Sequence, residues 1–400
     1  MNWVESTVGE YCPFVYGKSL PKAKRNEGNR PVYGSNGQVD YHDEYYVQGP
    51  GIIIGRKGSV GAIHLSEEPF WPIDTTFYVI KESIGELWFT YYLLKSLGLE
   101  GMNSDSAVPG LNRDNAHALP IRIPEHATDR EQLGNELALF DRKISLNTQT
   151  NQTLEAMAQA IFKSWFVDFD PVKAKMQGKQ PEGMDADTAA LFPDKLVESE
   201  LGLIPEGWEA SLMGEHFNIT MGQSPKGETY NERGEGIAFF QGRRDFGFRY
   251  PSVRVYTTDP KRFAKSGDTL ISVRAPVGDK NMAAIDCCIG RGIAAIRHKS
   301  NSRSFTYAFM SHVEKNLDDS GSSGTVFSSI NQKELKKVSF VAPPQELIEA
   351  FHKTVDPIDQ NVEALSGEIE SLSLLRDTLL PKLLSGELPL EQAEKLAEVS

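Results

Sequence analysis

One diagonal of identities constrains this chain more than any other feature. Trp3, Gly9, Glu10, Gly17 and Ser19 recur as Trp208, Gly214, Glu215, Gly222 and Ser224, each displaced by 205 residues. Further on, GIIIGRKGSVGAI at 51–63 answers DTLISVRAPVGDKNM at 268–282, matching Arg56 to Arg274 and Gly61 to Gly278 with a displacement near 217. The second copy has therefore gained about a dozen residues. AVPGLNRDNAHALPIRIP at 107–124 then faces TVFSSINQKELKKVSFVAP at 325–343, with Leu111 and Asn112 against Ile330 and Asn331. Solenoid units run to roughly 20–50 residues, so this period means domain duplication. The copies are either a packed pair, as in a duplicated enzyme or lectin, or two modules addressing two sites on one extended ligand.

Each copy leads into a long helical stretch. Leu133, Leu137, Phe140, Ile144, Asn147, Asn151, Leu154, Ala158, Ile161 and Trp165 alternate by four and three, which is a coiled-coil seam. Val355, Ile358, Val362, Leu365, Ile369, Leu372, Arg376, Leu379 and Leu383 repeat the alternation, interrupted once by the arginine. The first helix is predicted over about 129–167, opened by a Thr128/Glu131 capping box and stopped by Pro171. Pro357 predicts a short helix and a break before the second, which Gly386 can cap near 384. At 1.5 Å per residue such helices reach roughly 40–60 Å, against about 34 Å per turn of DNA. Paired antiparallel, they are spacers for two modules, with Asn147 and Asn151 fixing register. The competing reading is that they only cover a core.

Composition narrows the function. Four hundred residues, 40% hydrophobic and 24% charged, suit two or three globular domains. No apolar run approaches the roughly 18 residues of a membrane span, and Glu5 and Glu10 spoil a secretory signal, so a cytoplasmic protein is expected. Cys12, Cys287 and Cys288 have neither disulfide nor metal spacing and read as reduced packing residues. The net charge of -13 conceals an asymmetry, because residues 211–342 hold 19 Lys and Arg against 13 Asp and Glu. In both copies basic residues alternate with rings and amides: Lys18, Lys22, Lys24, Arg25 and Arg30 with Tyr33, Asn36 and Gln38, then Arg243, Arg244, Arg249 and Arg254 with Gln241, Phe246, Phe248 and Tyr250. Cations bind phosphate, and Arg, Asn or Gln on a positioned loop read base edges. Such residues otherwise make an ordinary solvated face.

Catalytic signatures are absent. Gly17-Lys18-Ser19 resembles the end of a phosphate loop, but position 12 is Cys where its leading glycine belongs. GRKGSVG is no dinucleotide loop, and Asp168 and Asp170 read as turn residues before Pro171. No zinc-protease, serine-hydrolase or clustered Cys/His pattern occurs. The residues describe a chain that binds without catalysing.

NQTLEAMAQAIFKSWFVDFDPVKAKMQGKQPEGMD, the following LGLIPEGWEA, and the terminal LLRDTLLPKLLSGEL resemble type I restriction-modification specificity subunits. The resemblance spans essentially the whole chain; its central string is the specific part. One departure is that PEGW precedes the second module while only Asn2-Trp3 precedes the first. The family implies an α+β chain of two duplicated α/β target-recognition domains separated by two long antiparallel coiled-coil helices. The corresponding boundaries are 1–126 and 208–343 for the recognition domains, 127–167 and 344–386 for the helical spacers, 168–207 for a linker and 387–400 for a tail. It further implies a bipartite double-stranded DNA target, one half per domain, with the gap set by the helices. Two modification subunits, carrying S-adenosylmethionine, and restriction subunits using ATP and Mg2+ would be the partners, this chain holding no cofactor, metal or membrane contact itself. Expected DNA contacts are Lys22, Lys24, Arg25, Asn36, Arg56 and Lys57, then Lys226, Gln241, Arg243, Arg244, Arg249 and Arg274, with Asn36 and Gln241 at base edges. Partner contact is expected on the seams through Phe140, Ile144, Asn147, Asn151, Leu154, Ile161, Trp165, Ile358, Val362, Leu365, Ile369, Leu372 and Leu379. The alternative, a self-contained DNA methyltransferase or nuclease with its own recognition domains, needs an S-adenosylmethionine loop, an N-P-P-[YF] motif or a carboxylate-lysine metal site, and none is found.

Overall fold

A computed structural model describes residues 1–102, 110–321 and 329–389, the side chains of 315–321 excepted. The matched positions 107–109 and 325–328 and the expected tail from 390 lie outside them. The chain divides into two compact units, Met1–Leu146 with Glu368–Ser400, and Asn147–Gly367. Each holds one module and a share of both long helices.

The duplication is exact at the level of strand register. In the first unit Val15–Tyr16, Thr76–Val79, Gly51–Gly55 and Ile63–Ser66 lie side by side in that order. Phe217–Met221, Ile293–His298, Thr269–Ser272 and Lys280–Met282 repeat the order in the second. Tyr16 faces Phe77 and Ile52 faces Val79, just as Met221 faces Ala294 and Thr269 faces Ile296. A parallel pairing of Val32-Tyr33 with Trp71-Pro72 recurs as Phe239-Phe240 with Cys288-Ile289. The displacement is thus 207 at Tyr33/Phe240 and 217 at Ile52/Thr269, so ten of the extra residues fall between Phe240 and Thr269. The register also corrects one match. The Leu111 amide donates to the Arg56 carbonyl, and the Ile330 amide to that of Val273, so the counterpart of Arg274 is Lys57 rather than Arg56.

Local sequence explains these elements. Gly51–Gly55 is buried on both faces, Ile52 and Ile54 in one apolar cluster and Ile53 in another, which is why it reads as an unbroken apolar run. A Cβ on Gly17 or Gly222 would sit 2.2 Å from the carbonyl oxygen of Ile73 or Gly290, so the recurring glycine follows from close backbone approach. All three cysteines are free and buried.

The long helices are Ala127–Phe166 and Gln345–Ser385. Their ends enter the module cores. Leu133, Leu137, Leu379 and Leu383 join Ile52, Phe77 and Phe89 in the first unit, while Phe162, Trp165, Phe351 and Val355 join Ile271, Ile296 and Phe305 in the second. Between those ends the helices pair antiparallel within each unit: Asp141 with Arg376 and Lys143 with Glu368 in the first, Asn151 with Ser366 in the second. None of the thirteen seam residues is exposed, and Trp165, Val362 and Leu379 are buried with Asn147 and Asn151.

Two local expectations are corrected. Gln345–Ser385 runs through Pro357 without a break. Pro357 and Lys353, whose carbonyl loses its donor, are both exposed, so water compensates while Val355 stays buried. Thr128 lies inside the first turn rather than at its cap, the amides of Asp129 and Arg130 donating to the His126 carbonyl instead. The stretch 168–207 is folded: helices Asp170–Met176 and Ala186–Ala190 and the paired strands Leu196–Ser199 and Gly202–Pro205 deliver Phe169, Val172, Phe192 and Ile204 to buried positions in the second unit.

Candidate nucleic-acid interface

In each module four loops meet at one edge of the four-stranded sheet. In the first, the Thr75 carbonyl accepts the Arg56 and Lys57 amides at 2.9 and 3.1 Å and the Ser35 hydroxyl at 2.6 Å. Ser59 Oγ donates to Asn36 Oδ1 at 3.3 Å, and the Lys18 amide to the Pro72 carbonyl at 2.9 Å. The loops after Tyr16, Gly34, Gly55 and Pro72 are thereby held together. In the second, the Gln223 amide donates to the Ile289 carbonyl at 2.9 Å, that of Arg291 to Ser224 Oγ at 3.2 Å, and that of Gly292 to the Gln241 carbonyl at 3.2 Å. Arg243 pairs with Asp279, which joins the loop carrying Arg274. Rigid loops on a sheet edge are how folds present recognition side chains.

The edges gather Asn36, Arg56 and Lys57 in one module and Gln241, Arg243, Arg244 and Arg274 in the other. Asn36, Lys57, Gln241, Arg244 and Arg274 are exposed. Arg244, Arg274 and the exposed Arg291 have no carboxylate partner among the described residues, so their charge is available to an anion. Arg243 and Lys280 are instead neutralised by Asp279 and Glu314, and with Arg244, Phe246 and Phe248 they line a cleft of about 640 Å3.

Other expected contacts stand elsewhere. Lys22 and Lys24 are exposed on the single turn Lys22–Lys24, and Lys226 is exposed beside Glu228; none of the bonds that build the edges involves them. Arg25 turns inward to Asp40 and the Leu20 carbonyl. Arg249 is corrected outright. Its side chain is 2% exposed, pairs with Glu155 on the first long helix and Asp359 on the second, and lies 3.5 Å from the Tyr307 ring centroid. Burial pushes the Asp359 carboxyl up from its ordinary value against the pull of that guanidinium. A residue so enclosed cannot touch a duplex.

Sequence reasoning missed Tyr16, Arg113 and Arg291. Tyr16 is 48% exposed, with the Arg56 and Arg113 guanidinium carbons 5.4 and 5.2 Å from its ring centroid, and Arg56 also bonds the Asp74 carbonyl at 3.2 and 2.5 Å. The signal for Arg113 was its place directly after the repeated cap Asn112, and for Arg291 the GRG between two strands. Among the described residues no group of acidic, His and Cys side chains could hold a metal, and no helix is long and apolar enough to cross a membrane.

Comparison with known proteins adds a family. The model of the type I restriction modification DNA specificity domain matches residues 1–156 and 205–373. A Methanocaldococcus jannaschii protein assigned as the MjaX type I restriction enzyme specificity subunit is 31% identical over 303 residues, covering 74% of this chain and 64% of the relative. The HindI specificity subunit of Haemophilus influenzae is 29% identical over 336 residues, covering 70% of this chain and 71% of that one. The crystal structure of a type I restriction-modification S subunit from M. genitalium superposes with a TM-score of 0.65 over 96% of both chains at 18% identity, a likeness of fold.

Proposed function

Since the chain belongs to the type I restriction-modification DNA specificity family, we propose that it is the DNA sequence-specificity subunit of such a complex. It binds a bipartite duplex target, one half-site per module, and docks modification and restriction subunits on its helices. The observation carrying this reading is the same four-loop edge built twice in one register, each bearing exposed cations beside an exposed amide. Lys57, Arg274, Arg244 and Arg291 neutralise phosphates, which positions the protein without reading sequence. Asn36 and Gln241 face base edges, where a side-chain amide pairs with adenine through two hydrogen bonds. Arg56 and Arg113, stacked about Tyr16, add a cationic and aromatic surface to the first edge.

Chemistry falls to the partners. S-adenosylmethionine belongs to two modification subunits, ATP and Mg2+ to restriction subunits, and this chain in the cytoplasm supplies recognition. The test is DNA binding at controlled salt by the chain assembled with modification subunits. Sequence-dependent binding that requires both half-sites is expected. Methylation or cleavage of DNA by the isolated chain would overturn the assignment, and sequence-independent binding by the assembled complex would remove the recognition role.

A further inference from the structure

The second module contains a device that the first lacks, located in its extra residues. Between Phe240 and Thr269 the chain closes a small ring: Asp245 accepts the Gln241 amide at 2.8 Å and the Arg254 guanidinium, and its carbonyl accepts the Ser252 amide at 2.8 Å. Buried Asn281 exchanges hydrogen bonds with the Gly247 amide and carbonyl at 3.1 and 2.9 Å, and the Met282 amide donates to the Arg249 carbonyl at 2.8 Å. Gln241, Arg243 and Arg244 thus ride on a segment with little internal freedom. That segment meets the long helices through the Arg249 guanidinium, which reaches Glu155 and Asp359.

We propose that Arg249 is a positioning residue for DNA specificity: it fixes the orientation of the second module's recognition segment against the paired helices, and so the aim of Gln241, Arg243 and Arg244. The geometry favours direction over stability. Taking a guanidinium and a carboxylate out of water is costly, and well-packed apolar residues often replace such a pair without loss. Here Arg249 Nε and Asp359 Oδ2 are buried with no hydrogen-bond partner among the described residues, so the cost is not fully offset. A forked, planar cation held by carboxylates from two helices and stacked on Tyr307 permits one orientation, where an apolar contact would permit slip. In the first module the shorter segment, residues 34–51, holds no Lys or Arg.

The inference rests on the proposed recognition role, and its test separates the two. Arg249→Lys keeps a charge but loses the fork, while the double variant Arg249→Met with Asp359→Leu replaces the central pair by apolar side chains. Each is assembled with modification subunits, and methylation is mapped at sites matching the target or bearing one mismatch in either half. The preference for matched over mismatched sites should fall roughly tenfold for one half-site and stay at the wild-type value for the other, in at least one variant. An equal fall in both halves, unchanged discrimination, or failure of both variants to assemble overturns the positioning role. Wild-type complex that methylates without sequence preference sinks the recognition role itself.

Discussion

In both units the module's longest helix is tied to a long helix by an ion pair, with the charges reversed. Glu86 accepts from Arg130 at 2.9 Å in the first, and Arg303 donates to Asp356 at 2.7 Å in the second. The first unit's remaining attachment joins an apolar core to a polar tie, the buried Tyr92 hydroxyl donating to Asp141 Oδ2 at 2.5 Å. Leu133, Leu137, Leu379 and Leu383 share a core with the sheet, a Cβ on Gly134 would lie 1.8 Å from the Gly85 carbonyl oxygen, and the Arg142–Glu67 pair stays half exposed. The second adds a buried guanidinium that runs from a recognition loop rather than a helix. Duplication therefore preserved the scaffold while the modules diverged in how their variable segment is held. Ten inserted residues were enough to carry a new anchor.

The largest expected effect sets that anchor against the first unit's rim. Arg249→Ala strands Asp359 as a lone buried charge and should cost the second unit about 3–5 kcal/mol, whereas Arg142→Ala should cost the first less than about 1 kcal/mol. Hydrogen exchange resolved by unit measures both, and equal losses would dissolve the contrast.

A second difference is pH-dependent. His298 closes the strand Ile293–His298, and the 217 displacement matches it to Lys81, two residues beyond the strand Thr76–Val79. Burial holds His298 at about 4, and its Nδ1 accepts the Ser300 amide at 3.0 Å, which only the unprotonated ring can do. The unfolded chain, with His near 6.5, then binds more protons than the folded one between pH 4 and 6.5. Stability of the second unit should rise through that window by roughly 2–3 kcal/mol and be fully present above it. The first unit has Lys81 there in place of a histidine. Melting of His298→Gln should show a flatter profile, and an unaltered slope would refute the assignment.

Next come the caps, where the modules should agree. Asn112 accepts the amides of Asp114 and Asn115, and Asn331 those of Lys333 and Glu334. Alanine at either should cost about 1 kcal/mol, and a twofold disparity in denaturant midpoints would show that the copies weight their caps differently. Smallest in free energy, Lys57→Ala and Arg274→Ala should each reduce the slope of log affinity against log salt by about one, with discrimination between sequences unchanged. A base-specific effect at either would move that residue from phosphate to base contact.

Much of this was legible beforehand because it is encoded locally. A 4,3 alternation, a buried GIIIG and a repeated Asn before a short helix depend on neighbours a few residues away. The helix through Pro357 was not legible, since packing of Val355 outweighed a local breaker. Seven of the twelve expected DNA contacts stand at the loop edges because loop position is readable; Arg25 and Arg249 do not, because arginine serves buried carboxylates as readily as phosphates.

By itself, then, the amino-acid order determined a duplicated α+β chain with two long helices, since repetition and periodicity are properties of one dimension. The tertiary structure alone decided which cations face solvent, which strands lie opposite one another, and what Arg249 does. Its partners Glu155 and Asp359 stand 94 and 110 residues away in sequence, and only folding brings groups so distant into hydrogen-bond range.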